Sequence, residues 1–141
     1  MYLTGTYSHN LDAKFRLTLP AAIRKNFSDL VYLVPVGDAV YGFAPEEYEA
    51  WVMSYFPNGF NARKREHQEL RLKLNRRAVP VEIDNAGRIS LGKITAAKLE
   101  RRGIKRAVAV IGNADHFEIW SADRIDLDED DDLDALMFDA E

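Results

Sequence analysis

A nine-residue pattern occurs twice, 72 positions apart, and it limits the chain to folds that can be built from two copies of one plan. The copies read Asp12-Ala-Lys-Phe-Arg16-Leu-Thr-Leu-Pro20 and Asp84-Asn-Ala-Gly-Arg88-Ile-Ser-Leu-Gly92. Each has a carboxylate, a short turn, an arginine four residues on, and then an apolar-hydroxyl-apolar triplet, Leu17-Thr18-Leu19 or Ile89-Ser90-Leu91. Such alternation is that of a half-buried strand. An aspartate heading a tight turn accepts hydrogen bonds from backbone N–H groups further along it, which fixes the turn and sends the arginine outward. The turn therefore displays the guanidinium.

The correspondence continues downstream. A helix-like segment follows each copy (residues 21–27 and 94–102), then a strand-like run (31–36 and 107–111), a turn (Gly37-Asp38 and Gly112-Asn113) and a second strand (40–43 and 116–120). Each half then reaches a helix start, Pro45-Glu46-Glu47 or Ser121-Ala122-Asp123, where Ser121 is a candidate cap. Pro35 predicts that the 31–36 strand lies at a sheet edge or ends near the proline. Gly103 stands where a left-handed residue closes a helix. Between the halves lies an insert of two helices. Tyr48, Trp51, Val52 and Tyr55 share a stripe of the first, as core or subunit-interface residues do. Asn61 is the expected cap of the second, in which Leu70, Leu74 and Ala78 form a narrow apolar seam on an otherwise very basic helix. The domain reading is one unit over residues 1–125, made of repeats at about 1–56 and 79–125 joined by the basic insert, with an acidic disordered tail at 126–141.

Charge is segregated along the chain. Residues 126–141 hold nine acids and no base, so the overall net charge of −4 becomes +5 for the remainder; residues 61–106 alone carry 14 Lys and Arg against five Asp and Glu. A basic body with an acidic tail points to an anionic partner, most often nucleic acid, with a solvated basic surface as the alternative. Two readings of the tail stand open, a solubilising segment that touches nothing, which is the favoured one, and a polyanion that competes with DNA for the basic surface.

Cysteine is absent and His9, His67 and His116 fall in unrelated segments, which leaves neither a disulfide framework nor a recognisable metal site. No phosphate-binding loop, dinucleotide fingerprint or nucleophile elbow is present, so neither enzyme activity, a cofactor nor a small-molecule substrate is expected. No apolar run approaches the roughly 20 residues that span a bilayer. The expected setting is cytoplasmic and nucleoid-associated, without a membrane partner.

The two Asp-x-x-Gly-Arg-like turns, Asp12 to Arg16 and Asp84 to Arg88, together with the spacing and the intervening helices, make the chain resemble the MraZ family of bacterial transcription regulators, whose fold is related to AbrB-type DNA-binding domains. The first copy departs from the pattern, with Phe15 where glycine stands in the second copy as Gly87. If that glycine serves a positive φ, phenylalanine there costs on the order of 1–2 kcal/mol or reshapes the turn. The resemblance implies an α+β fold of two swapped-hairpin β half-barrels in a pseudo-dimer with flanking helices. It implies sequence-specific binding of double-stranded DNA, at short G-rich direct repeats upstream of the division and cell-wall gene cluster that includes its own gene, by a homo-oligomeric ring. Lys14, Arg16 and Arg88 are the implied DNA-binding residues; Asp12, Asp84 and Gly87 fix the turns. The second loop carries less charge, because Ala86 stands at the position of Lys14. For the arginines, an internal ion pair to the motif aspartate is the competing reading. For the whole chain, the rivals are an AbrB-like antitoxin and a protein-interaction ring without DNA binding.

Overall fold

The computed structural model describes residues 1–125 and 131–139. The fold is α+β. The first half contributes β1 (Thr6–Asn10), β2 (Arg16–Thr18), α1 (Ala21–Arg24), β3 (Leu30–Val36) and β4 (Ala39–Phe43); α2 (Pro45–Met53) and α3 (Arg65–Arg77) follow. The second half repeats the order with β5 (Val79–Glu82), β6 (Arg88–Ser90), α4 (Ala96–Arg101), β7 (Ala107–Asn113) and β8 (His116–Ser121), and α5 (Asp131–Asp139) comes last.

Six strands form one antiparallel sheet in the order β1-β7-β8-β4-β3-β5, and β2 pairs with β6 in a separate two-stranded ribbon. The order reads symmetrically about the central β8–β4 pair. In each half the first strand joins the third strand of the other half, β1 with β7 and β5 with β3. Neither half closes its own sheet, so the repeat in sequence becomes strand exchange in space.

The exchange is held by one shared core. Leu17 and Ile89, opposite each other in the ribbon, are fully buried and pack in a single cluster with Leu11, Ile23, Leu91 and Leu99. Full burial of such side chains stabilises by about 1.5–3 kcal/mol each. Gly42 of β4 is required by a close approach, because a Cβ there would lie 2.2 Å from the ring of Phe117 on the neighbouring β8. A second cluster of Val34, Phe43, Tyr48, Val52 and Phe56 seats α2 on the sheet. Tyr48 stacks on Tyr32 at 4.7 Å and donates its hydroxyl proton to Asn75 Oδ1, which ties α2 to α3.

Several local expectations are corrected. Of the two readings of Pro35 the edge strand is overturned, since β3 is flanked by β4 and β5, whereas the strand end is met: β3 stops at Val36, one residue past the proline. Its proline is tolerated because the β5 ladder ends at Leu33–Val79, two residues before Pro35. The helix of the insert starts at Arg65, since Asn61 instead accepts the Arg63 N–H in a turn. The packed side of α3 is His67, Arg71 and Leu74, leading to Ala78, whereas Leu70 faces out, and Arg71 lies 3.7 Å over the Phe60 ring. Of the stripe expected in the core or at a subunit interface, Tyr48 and Val52 are in the core, whereas Tyr55 is exposed on this chain and lies outside it. Ser121 ends β8 in a turn closed by the Arg124 N–H, not a helix. Residues Asp131–Asp139, read from composition as disordered tail, form α5. Leu133, Leu136 and Met137, at helical spacing within the acidic run, give that segment a helical face. The rest of the tail, residues 126–130 and 140–141, lies outside the described residues.

Candidate nucleic-acid interface

The two motif turns have the same construction. Asp12 Oδ1 accepts the N–H groups of Lys14 and Arg16, both at 2.9 Å, and Asp84 Oδ1 accepts those of Ala86 and Arg88, both at 2.9 Å. The backbone closes alike, Asp12 N–H to Arg16 O at 3.0 Å and Asp84 N–H to Arg88 O at 2.9 Å. These donors, the Arg16 N–H first, hold the Asp12 carboxyl below its ordinary pKa against the opposing effect of burial; the Arg88 N–H does the same for Asp84. Both turns are therefore built around an ionised aspartate.

The remaining carboxylate oxygen takes the arginine. Arg16 Nε lies 2.7 Å from Asp12 Oδ2, and Arg88 Nε lies 2.8 Å from Asp84 Oδ2. The internal ion pair and an outward guanidinium coexist, because the pair uses Nε alone. Among the described residues no acceptor meets the Nη groups of either arginine. A guanidinium held by Nε keeps its Nη donors for an acceptor outside the chain.

The ribbon brings the two turns together. Arg16 pairs with Ser90, Leu17 with Ile89 and Thr18 with Arg88. Because strand side chains alternate, Leu17 and Ile89 enter the core while Arg16, Thr18, Arg88 and Ser90 share the outer face. Arg16 and Arg88 are diagonal neighbours across the pair, a placement that puts the two residues roughly 7–8 Å apart and within reach of one another's long side chains. The turn carbonyls bracket the ribbon, with Leu91 N–H donating to Phe15 O and Leu19 N–H to Gly87 O, each at 2.9 Å. The leading apolar residues are tied in the same crosswise manner, Leu11 N–H to Arg106 O at 2.8 Å and Ile83 N–H to Asp29 O at 2.7 Å.

Lys14 is exposed at the tip of the first turn, as Ala86 is at the second. Gly87 has φ +76°, and a Cβ built on it would lie 4.0 Å from Cδ and Nε of Arg24. Thus α1 of the first half lays a cation against the second turn, and Arg24 is anchored there by Nη1 donating to Phe27 O at 2.9 Å. Sequence reasoning missed Arg24 because nothing local relates it to residue 87; only the crossed β2–β6 pairing does. On the first turn the flanking cleft is lined by Phe15, Ile94, Leu99 and Ile104, with the charged Glu100 and Lys105 also at its walls.

The site thus offers guanidinium and ammonium donors on one two-stranded ribbon. Among the described residues no three His, Cys, Asp or Glu side chains are grouped to hold a metal, and no helix is long and apolar enough to cross a membrane.

Comparison with known proteins follows the same line. The chain is 34% identical over 122 residues to the transcriptional regulator MraZ of Spiroplasma kunkelii, covering 85% of this chain and 82% of that protein. It is 30% identical over 138 residues to the protein of the same name in Mesoplasma florum, covering 96% and 91%. A third relative, from Corynebacterium urealyticum, is 32% identical over 118 residues. No protein-family profile matches the sequence.

Proposed function

This chain belongs to the MraZ family of transcriptional regulators, and we propose that it reads double-stranded DNA with the outer face of the β2–β6 ribbon. The observation that carries this reading is the diagonal placement of Arg16 and Arg88, each with its Nη groups unengaged within the described residues, on one face of the ribbon. The major groove of B-DNA admits a two-stranded ribbon, and a guanidinium there reaches guanine O6 and N7, or a phosphate, through two hydrogen bonds. Lys14 adds charge at the first turn and Arg24 at the second, where Ala86 supplies none. Asp12, Asp84 and Gly87 act as turn-fixing residues.

The exchange of first and third strands between the halves supports the swapped-hairpin, pseudo-dimeric half-barrel reading. One ribbon binds weakly, whereas several on a homo-oligomeric ring engage successive sites at high effective concentration. Short direct repeats spaced about 10 bp apart present the same groove face to adjacent subunits. The family resemblance directs this reading to G-rich repeats upstream of the division and cell-wall genes, the chain's own gene included. A footprint on the DNA upstream of that gene tests it: protection at regularly spaced repeats is expected, uniform protection would reject sequence-specific reading, and an absent footprint would reject it in favour of a ring that binds proteins alone.

A further inference from the structure

The exposed side chains of Lys73, Arg76 and Arg77 on α3 and Lys98 on α4 line an open surface concavity of about 260 Å³, and none of them belongs to the ribbon or its turns. No carboxylate of the described residues lines it. A helix C-terminus attracts cations, which accounts for Arg76 and Arg77 one by one but not for four cations converging from two helices. The wall is also pinned. Arg77 Nη1 donates to Pro35 O at 3.3 Å, and the buried Arg102 donates from Nε to Ala39 O at 3.2 Å and from Nη1 to Lys98 O at 2.9 Å. Arg102 thus holds the backbone that carries Lys98, without lining the concavity itself. Its proton is held less firmly than usual, first because of burial and then because of the charges of Arg101 and Arg77, with Asp38 opposing. Four like charges lining one concavity repel one another, and an anion of several charges relieves all of them at once.

We propose that this concavity is a phosphate-binding site, separate from the ribbon, for a group bearing two or more phosphates. The two arginines supply planar forks matched to phosphate oxygens, and the two lysines supply mobile point charges. A singly charged carboxylate would leave most of the repulsion in place. The phosphates have two sources, a free polyphosphate or the backbone of bound DNA.

The test uses the full chain and K73Q/R76Q, since both of those side chains are exposed and neither makes an internal hydrogen bond among the described residues. Calorimetry with inorganic pyrophosphate at low salt should show binding that the double variant weakens tenfold or more. Arg16→Ala should bind pyrophosphate like the wild type, which separates this site from the ribbon's role. In parallel, the salt dependence of duplex binding distinguishes the sources. A slope shallower by roughly 1.8 in the double variant, at about 0.9 per lost phosphate contact, identifies the DNA backbone; an unchanged slope with lost pyrophosphate binding identifies a free polyphosphate. If the double variant melts like the wild type yet alters neither pyrophosphate affinity nor the slope, the site does not exist.

Discussion

Phe15 and Gly87 occupy equivalent positions in the two motif turns and adopt the same left-handed backbone, with φ +57° and +76°. Each offers its carbonyl oxygen to the strand of the other half, at 2.9 Å in both cases. The phenylalanine does not reshape the turn; the ribbon imposes the turn on the phenylalanine. A left-handed L-residue costs roughly 1–2 kcal/mol, and Phe15, 39% exposed as a residue, recovers part of this through the portion of its side chain that lines a cleft together with Ile94 and Leu99.

Phe15→Gly should leave stability within about 1 kcal/mol of the wild type in urea unfolding. Relief of backbone strain is offset by lost ring burial and by the freedom glycine adds to the unfolded chain. Gly87→Ala should cost about 1 kcal/mol for its φ alone, since the added Cβ meets nothing closer than 4.0 Å. Destabilisation of Phe15→Gly by 3 kcal/mol or more would mean that the ring, not the turn, governs this site.

Arg24→Gln should weaken duplex binding and lower the salt slope by roughly 0.9 if Arg24 meets one phosphate beside the second turn. The lost bond to Phe27 O costs about 1 kcal/mol of stability, small enough to leave the protein folded at the temperature of the assay. An unaltered slope would assign Arg24 to covering Gly87 and nothing more.

His116 predicts a pH dependence. It is buried, with Nδ1 2.7 Å from Asp115 Oδ1 and Nε2 2.9 Å from Glu118 Oε2; Glu118 also accepts from Asn113 and Trp120. Burial disfavours the imidazolium, but the two carboxylates outweigh it and raise the His116 pKa above 6.5. Burial likewise works against the Glu118 carboxylate, whose donors nonetheless pull it down to about 2. A neutral imidazole has one N–H and can satisfy only one of these carboxylates. The stability His116 contributes is thus full below about pH 6.5 and is lost as pH rises through its raised value, whereas that of Glu118 is present above pH 4.5 and is lost toward pH 2. Urea unfolding should show stability falling from pH 6 to pH 9 in the wild type, and His116→Gln should flatten that fall. Parallel curves would contradict the ion-pair account.

Much of this was legible from the repeat. The Asp12 and Asp84 turns, the alternation of Leu17-Thr18-Leu19 and Ile89-Ser90-Leu91, and the left-handed Gly103 that follows α4 are local matters, decided by side chains within a few residues of one another. Pairing was not legible in the residues themselves, although the family resemblance implied swapped hairpins. Nothing in the first half alone says that β2 finds β6 instead of a strand of its own, so the meeting of Arg16 with Arg88 and of Arg24 with Gly87 is visible only in the fold. The seam of α3 was misjudged for a related reason: Arg71 packs through its stem and its charge on Phe60, a role that composition assigns to the more apolar Leu70. Beyond Ile125, the acidic composition hid the helical spacing of Leu133, Leu136 and Met137.

The central claim is that the ribbon's arginines read DNA, and the direct measurement is a fluorescence-anisotropy titration of the wild type and Arg16→Ala against operator and scrambled duplexes at moderate salt. Arg16→Ala should lose about 1–3 kcal/mol of discrimination per engaged ribbon, multiplied across a ring, and should converge on scrambled-duplex affinity. Asp12 would then keep its backbone donors, so the turn itself should survive. Equal operator affinity for the two proteins, with the fold intact by circular dichroism, would contradict the claim.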